Sequence, residues 1–451
     1  MSHSRNFAYQ VEASDPDGDS LTYKLKAKPS GASIDKTGRI TWRPDKADKG
    51  KTHVFRIAVS DGHDTVERGL VVSVGKFQFA HTKPARVASR TQLAEFARLN
   101  GDRWMDAVWL EYDSQNGADM EVAFGNSNGF KVQKVYDHQK AAGNCTTPAT
   151  GDVDGDKDVD VLLVCETGAG SDDHLNWYVW LNDGGGTFSK GKKGTWKTKR
   201  SRDQAKGVEL GDIDGDQDLD AVAIGEESLV TARNGGSGGL SKVDEWHDSD
   251  FRFEEVELGE FDGDSTSEVA VGYGDEAPDK GYVEVRELTG SSAVGNRLYG
   301  RRAVGKSKYD ESPDTMAVGD LDGDTFDGIA VIERDSDRLT VVRNAGGTFQ
   351  VTVDKRKVDD VASSEHLDNM ATIGDLNSDG RADLVQAVNR NAEFKIAFGK
   401  GNGTLKSFQT FKLPGTYGGH DVWSAYAHDW NGDGATDVFI SNEQGQFGIA
   451  Y

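Results

Sequence analysis

Short runs of alternating apolar and polar residues fill this chain, separated by turns rich in Gly and Asp. Alternation with period two marks half-buried strands, because successive side chains point to opposite faces. Near the N-terminus the runs are FAYQVEA (7–13), LTYKLKA (21–27), RITWRP (39–44), HVFRIAVS (53–60) and one ending GLVVSV (69–74). Between them lie the turn signals DPDGD (15–19), PSGAS (30–34), KTG (36–38) and SDG (60–62). They predict a small antiparallel β-sandwich over residues 1–75. Beyond it a longer unit recurs, clearest as MATIGD (370–375), an acidic loop, ADLVQAVN (382–389), EFKIAFG (393–399), a GKGNG turn (399–403) and TLKSFQTFKL (404–413). Each unit therefore offers four short strands, with the acidic loop joining the first two.

That loop occurs seven times. Its first positions are Arg98, Asp152, Asp212, Glu260, Asp320, Asp375 and Asp429. A spacing of some fifty residues is that of an array of supersecondary units, and a four-stranded sheet repeated radially is a propeller blade. The expected fold is all-β: a seven-bladed β-propeller over residues 76–451 plus the small N-terminal sandwich. The last unit, WSAYAHD (423–429), TDVFISN (436–442) and FGIAY (447–451), stops one strand short. Ahead of the first unit lies GKFQFAHT (75–82). Residues 76–82 are expected to supply the missing outer strand and close the ring, because a linear stack would leave exposed edges that need caps.

Composition narrows the setting. With 55 Gly and only 8 Pro among 451 residues, turns and short strands fit better than long helices. The net charge of −24 argues against nucleic-acid backbones and anionic membranes as partners, since both require a cationic face. No apolar run is long enough to insert into a membrane. The start, MSHSRNFAYQ, lacks the apolar core of a signal peptide, and we expect a mature or excised piece of a longer secreted polypeptide, located outside the cell or on its surface. Two cysteines, Cys145 and Cys165, flank the second acidic loop almost symmetrically. That spacing allows either a disulfide or two buried thiols.

The loops carry the candidate chemistry. Oxygen-bearing side chains occupy positions one, three, five and nine: Asp152, Asp154, Asp156 and Asp160 in loop two, and Asp212, Asp214, Asp216 and Asp220 in loop three. Loop six supplies Asp375, Asn377, Asp379 and Asp383, and loop seven Asp429, Asn431, Asp433 and Asp437. Position seven (Asp158, Asp218, Arg381, Ala435) adds a backbone carbonyl, completing an oxygen set suited to calcium. Carboxylates this close repel one another without a cation, and the absence of His and Cys argues against zinc or copper. Loop four offers Glu260, Asp262, Asp264 and Glu268, with longer arms. Loop five keeps Asp320, Asp322 and Asp324, but has Gly328 at position nine and Asp327 as the nearest acid. Loop one has only Asn100, Asp102 and Asp106 with Arg98 at position one, which predicts a fixed cation in place of a metal. About four to six calcium ions are expected, acting mainly as structural staples. DPDGD, with Asp15, Asp17 and Asp19, is either a further calcium site or a solvated turn.

The pattern D-x-[DN]-x-D-G-x-x-D before a hydrophobic strand resembles the FG-GAP and VCBS repeats of integrin-α-type propellers. AFG-x-x-x-G at 123–129 and 397–403 matches their Phe-Gly signature. The order DPDGDSLTY…PSGASID…TGRITWRP…FRIAVSDG resembles the cadherin-like, immunoglobulin-type domains of bacterial surface and secreted proteins, with their first strand missing. These resemblances imply a seven-bladed propeller with calcium between the first and second strands of several blades.

No hydrolase elbow, zinc-protease helix or P-loop motif occurs, and His174 and His420 stand alone. Trp177, Trp180, Trp196, Trp246 and Trp423 would either line a sugar-stacking face or pack between blades. The leading expectation is a non-enzymatic, calcium-binding extracellular module for adhesion or recognition, taking a glycan or protein ligand on the propeller face. It would be monomeric or part of a longer chain. The alternatives are a calcium-dependent polysaccharide lyase or hydrolase and a spacer of a large adhesin.

Overall fold

The computed structural model describes residues 7–11, 13–15, 20–48, 51–74, 85–86, 94–113, 117–127, 129–139, 145–166, 174–199, 203–247, 251–264, 266–275, 280–288, 294–304, 313–333, 338–357, 371–377, 380–388, 393–412, 422–432, 435–442 and 446–450. The chain forms two compact units, Met1–Ala80 with Asp375–Gly380, and His81–Gly374 with Arg381–Tyr451.

In the first unit two three-stranded sheets stand face to face. One orders its strands Phe7–Gln10, Arg39–Trp42, Ser33–Ile34, and the other Thr22–Ala27, Thr52–Ser60, Thr65–Ser73. Alternation places Ile40 and Trp42 of one sheet against Phe55, Ile57 and Val72 of the other. The Trp42 indole N–H donates to the Ser30 carbonyl at 3.0 Å, so this buried ring keeps its one polar group paired.

Seven four-stranded antiparallel sheets make up the second unit among the described residues. We number them in chain order. In sheet two the strands are Ala149–Gly151, Asp160–Glu166, Leu175–Asn182 and Phe188–Trp196, joined in sequence order. The second strand, DVLLVC, is buried on both faces and accordingly reads as a continuous apolar run. Val161 and Leu163 pack with Val108, Val122 and Phe124 of sheet one, while Leu162 and Val164 pack with Val208, Ala221 and Val230 of sheet three. The cores thus lie between successive sheets.

First strands of successive sheets run side by side. This contact explains the Gly that precedes most of the acidic loops. A Cβ on Gly211, Gly259 or Gly319 would lie within 2.8 Å of Leu258, Val318 or Ile373 on the following sheet. Such overpacking costs about 1–3 kcal/mol where neighbours cannot yield.

The first and last sheets share a core of Phe96, Phe130, Tyr426, Trp430 and Phe439, and Met105 N–H donates to the Trp430 carbonyl at 3.0 Å. Strand Ala85–Arg86 pairs with Gln446–Phe447 and becomes the fourth strand of the last sheet. Residues 76–82, expected in that role, lie outside the described residues. Cys145 and Cys165 face each other in an antiparallel bridge and form a disulfide, which decides between the two alternatives the sequence left open. Among the described residues no helix is long and apolar enough to cross a membrane.

Candidate metal centres in the acidic loops

The loop backbone is folded by its own carboxylates. Asp152 accepts the amides of Gly155 (2.8 Å) and Lys157 (2.9 Å), and Asp212 accepts those of Gly215 (2.7 Å) and Gln217 (3.0 Å). Asp320 does the same for Gly323 (2.7 Å) and Thr325 (2.9 Å), and Asp375 accepts Gly380 at 2.7 Å. Position one therefore wraps the loop before any ion is considered. This wrapping holds position six in the left-handed region, with φ of 77° at Lys157, 73° at Gln217 and 77° at Thr325. Only loop six supplies a described Gly there, Gly380 at 76°.

Position nine has a second task that the sequence did not reveal. Asp160 is fully buried; its Oδ2 accepts Val153 N–H (3.0 Å) and its Oδ1 accepts Asn182 N–H (2.8 Å). Asp220 repeats this with Ile213 and Asn234, and Asp106 with Leu99 and Gly125. Glu268 takes Phe261, Asp437 takes Trp430, and Asp383 takes Gly399. In loops one, two and three the ninth residue is thus a clamp joining the loop's start to the third strand, present even in loop one where no metal is expected. Burial raises Asp160 and Asp220 to about 6, Asp106 to about 7 and Glu268 to about 8. Nearby carboxylates push the same way.

Asparagines at the end of the third strand link one sheet to the next. Asn182 Nδ2 donates to the Leu99 carbonyl at 2.7 Å, Asn234 to Val153 at 2.6 Å and Asn344 to Phe261 at 2.7 Å. Each acceptor is position two of the preceding loop. The recurring signal was visible as NDGGGTF (182–188), NGGSGGL (234–240) and NAGGTF (344–349), in register with the Phe-Gly signature.

Four groups of acids converge: Asp152, Asp154 and Asp160; Asp212, Asp214 and Asp216; Glu260, Asp262 and Glu268; and Asp320, Asp322 and Asp324. Within each group one oxygen per residue lies within 4.8 Å of the others. Asp154 Oδ1, Glu268 Oε1 and Asp322 Oδ1 are buried without a hydrogen-bond partner. A buried, unpaired carboxylate oxygen is costly, and a hard divalent cation is the ligand that would satisfy it. Burial and neighbouring acids hold Asp154 and Asp262 above the usual carboxylate range. The donor set in these loops fits calcium.

Several predicted residues also make contacts of their own, Asp216 of the second triad among them. The Asp156 and Asp216 carboxylates accept the amides of Asp158 (2.9 Å) and Asp218 (3.0 Å), and Asp264 accepts Thr266 (2.9 Å). The side chains of Asp158 and Asp218, expected to serve through their carbonyls, lie against the hairpin glycines Gly184 and Gly236, and Arg381 lies against Gly401. Asp327 turns away from its own loop: Oδ2 accepts Glu260 N–H at 2.9 Å, and its amide donates to the Glu260 carbonyl at 2.8 Å. It ties sheets four and five together, and does not replace the acid missing at Gly328. Arg98 reaches across the first and last sheets to the Asp429 carboxylate at 3.7 Å and its carbonyl at 3.2 Å. Its Nε also donates to the Arg103 carbonyl of loop one at 3.3 Å, so the one guanidinium bridges loops one and seven. Asn377 is buried and Asn431 Nδ2 lies 3.4 Å from Asp437. Asp17, Asp19, Asp379, Asp433 and His420 lie outside the described residues, and Trp423 lies in a strand whose side chain there is undescribed.

Trp177, Trp180 and Trp196 are buried in the cores between sheets, and Arg286 covers Trp246 at 4.0 Å from the ring centre. The packing alternative holds for these four rings. His174 Nδ1 accepts the Thr198 amide at 3.2 Å.

Two family models match parts of the chain. Residues 152–223 and 375–440 match the model of the FG-GAP-like repeat, and residues 4–73 match that of a bacterial Ig domain. No curated protein sequence matches significantly. Among solved structures, a lectin of Agrocybe aegerita that recognises non-reducing terminal N-acetylglucosamine is 16% identical, with a TM-score of 0.47 over 71% of this chain and 80% of the lectin. A rhamnogalacturonan lyase of Bacillus licheniformis is 12% identical, with a TM-score of 0.45 over 99% of this chain and 87% of the lyase. The Dos1 propeller is 8% identical, with a TM-score of 0.44 over 81% of this chain and 82% of that one.

Proposed function

We propose that this chain, a β-propeller of FG-GAP-like repeats following a bacterial Ig-like domain, is a calcium-stapled extracellular module that recognises a glycan or protein ligand. The observation that carries the calcium part is the set of buried, unpartnered oxygens of Asp154, Glu268 and Asp322, each within an acidic triad. Calcium would be held by Asp152, Asp154 and Asp160 in loop two, with corresponding groups in loops three, four and five. It supplies positive charge that offsets carboxylate repulsion and locks each first-to-second strand turn.

An extracellular setting is supported by the disulfide, which persists in oxidising compartments, and by the millimolar calcium found there, which suits sites of modest affinity. Removing calcium with EDTA should lower the melting temperature by roughly ten degrees, and calcium should restore it. Asp152→Asn with Asp154→Asn should remove one ion from the stoichiometry measured by titration calorimetry. A melting curve indifferent to chelator would overturn the metal reading.

Recognition is tested separately, by a glycan array and a reducing-end assay on polysaccharides. Binding without release of reducing ends is the expected outcome. Turnover would replace this reading with an enzymatic one.

A further inference from the structure

Strand register places one residue of each sheet opposite position nine of the acidic loop. In sheets two to five this residue is Leu181, Arg233, Glu287 and Arg343, by continuation of the pairings Val161 with Trp180, Ala221 with Ala232, Val269 with Arg286 and Ile329 with Val342. The four loops share one backbone design, yet this position carries no charge, a positive charge, a negative charge and a positive charge in turn.

Both arginines turn into their loops. Arg233 Nε lies 2.9 Å from Asp214 Oδ2, with the Asp214 side chain 9% exposed. Arg343 Nε pairs with Asp322 Oδ2, and that aspartate is 3% exposed. Asp214 and Asp322 both hold position three, a central member of the acidic triads. Asp322 Oδ1 nevertheless remains unpartnered, so the arginine satisfies only half of this carboxylate. In loop two, where Leu181 stands, no Lys or Arg pairs with Asp154 among the described residues. In loop four, the negative charge of Glu287 reaches Asp262.

We propose that the residue opposite position nine sets how readily each loop takes calcium, with Arg233 and Arg343 acting as internal counter-cations at loops three and five. The inference rests on the calcium reading above and adds a ranking to it. A cation entering loops three or five must share a carboxylate with a guanidinium or displace it, and the like charge weakens its binding. Loop two meets no such competitor among the described residues, and in loop four the residue at this position, Glu287, is itself an acid. Among these four loops, two and four should fill first and three and five last, giving a tightly bound pair of ions and a pair that responds to the surrounding calcium concentration. Without calcium, the arginines keep two loops partly neutralised.

The test is calcium titration of the full chain by calorimetry in chelator-stripped buffer, paired with melting temperatures with and without calcium. Arg233→Leu and Arg343→Leu copy the side chain of sheet two; each should move one ion from the weak to the tight class, gaining about tenfold or more in affinity. Leu181→Arg should move one ion the other way by a similar factor. Arg343→Leu should melt below the unsubstituted protein in EDTA, yet at or above it in saturating calcium. Three substitutions in three sheets keep the test decisive if one fails to fold. Unchanged affinities in all three, with calcium still binding, would overturn the ranking alone. Absence of calcium binding to the unsubstituted chain would overturn the underlying metal reading and the ranking with it.

Discussion

Loop one (98–106) and loop two (152–160) hang on the same hydrogen bonds. In both, the ninth residue is a buried Asp that accepts the amide of position two and an amide at the end of the third strand. In both, the carbonyl of position two accepts an Asn from the next sheet. They differ at positions one and three, where loop one has Arg98 and Asn100 and loop two has Asp152 and Asp154, while position five is Asp in both (Asp102 and Asp156). The comparison separates two functions that the repeat had fused: in these two loops position nine belongs to the fold, and positions one and three form the part that differs.

The largest expected effect tests that separation directly. Asp106→Ala and Asp160→Ala each strand two buried amides, which should cost about 2–5 kcal/mol in either loop. Urea unfolding in EDTA and in calcium would measure it. Similar losses with and without calcium support the clamp; a loss at Asp160 seen only with calcium would make position nine chiefly a ligand and break the comparison.

A smaller effect concerns the first strands. Three residues ahead of each loop, sheet one carries Glu95 where sheet two carries Ala149. Burial raises Glu95 to about 7, and raises Glu257, at the same place in sheet four, to about 8 with help from the Glu95 charge. Such acids bind protons more tightly in the folded than in the unfolded chain. Their stabilising contribution is complete below the ordinary carboxylate range and is lost as pH rises through about 7–8. The melting temperature should therefore fall between pH 5 and pH 9, and Glu95→Ala, which makes sheet one resemble sheet two, should flatten that fall. An unchanged slope would show that Glu95 and Glu257 do not titrate as their surroundings imply.

The smallest effect sharpens the comparison at position six. Lys157 has φ of 77°, whereas Arg103 in loop one is not among the positive-φ residues. Relieving the left-handed strain, Lys157→Gly should stabilise by about 0.5–1 kcal/mol, while Arg103→Gly should destabilise by a similar amount through added chain entropy. Thermal unfolding of the two variants, with opposite signs expected, checks it. Equal signs would mean that the two loops share a backbone after all.

Much of this architecture is legible before folding. Period-two alternation located the strands, and the doubly buried second strands announced themselves as continuous apolar runs such as DVLLVC. The acidic repeat placed the loops between first and second strands. The reading of position nine as purely a ligand was incomplete, because the carboxylate also accepts an amide at the end of the third strand, 22 residues on for Asp160 and 14 for Asp220. Asp327, in sequence the acid nearest the empty ninth position of loop five, instead holds loop four, since its orientation depends on a neighbouring sheet. Trp177, Trp180 and Trp196 offered two readings, and only the packing of successive sheets buried them.

Local chemistry is what the sequence determined unaided: which segments are strands, where turns need Gly, and which loops collect oxygen donors. These follow from contacts within a few residues. Tertiary structure decided which acid faces which cation, because Arg233 and Arg343 meet Asp214 and Asp322 only through strand register across a sheet. It also decided the Cys145–Cys165 bond and the joining of the first sheet to the last. Those pairings rest on distance in space, which a repeat along the chain does not encode one residue at a time.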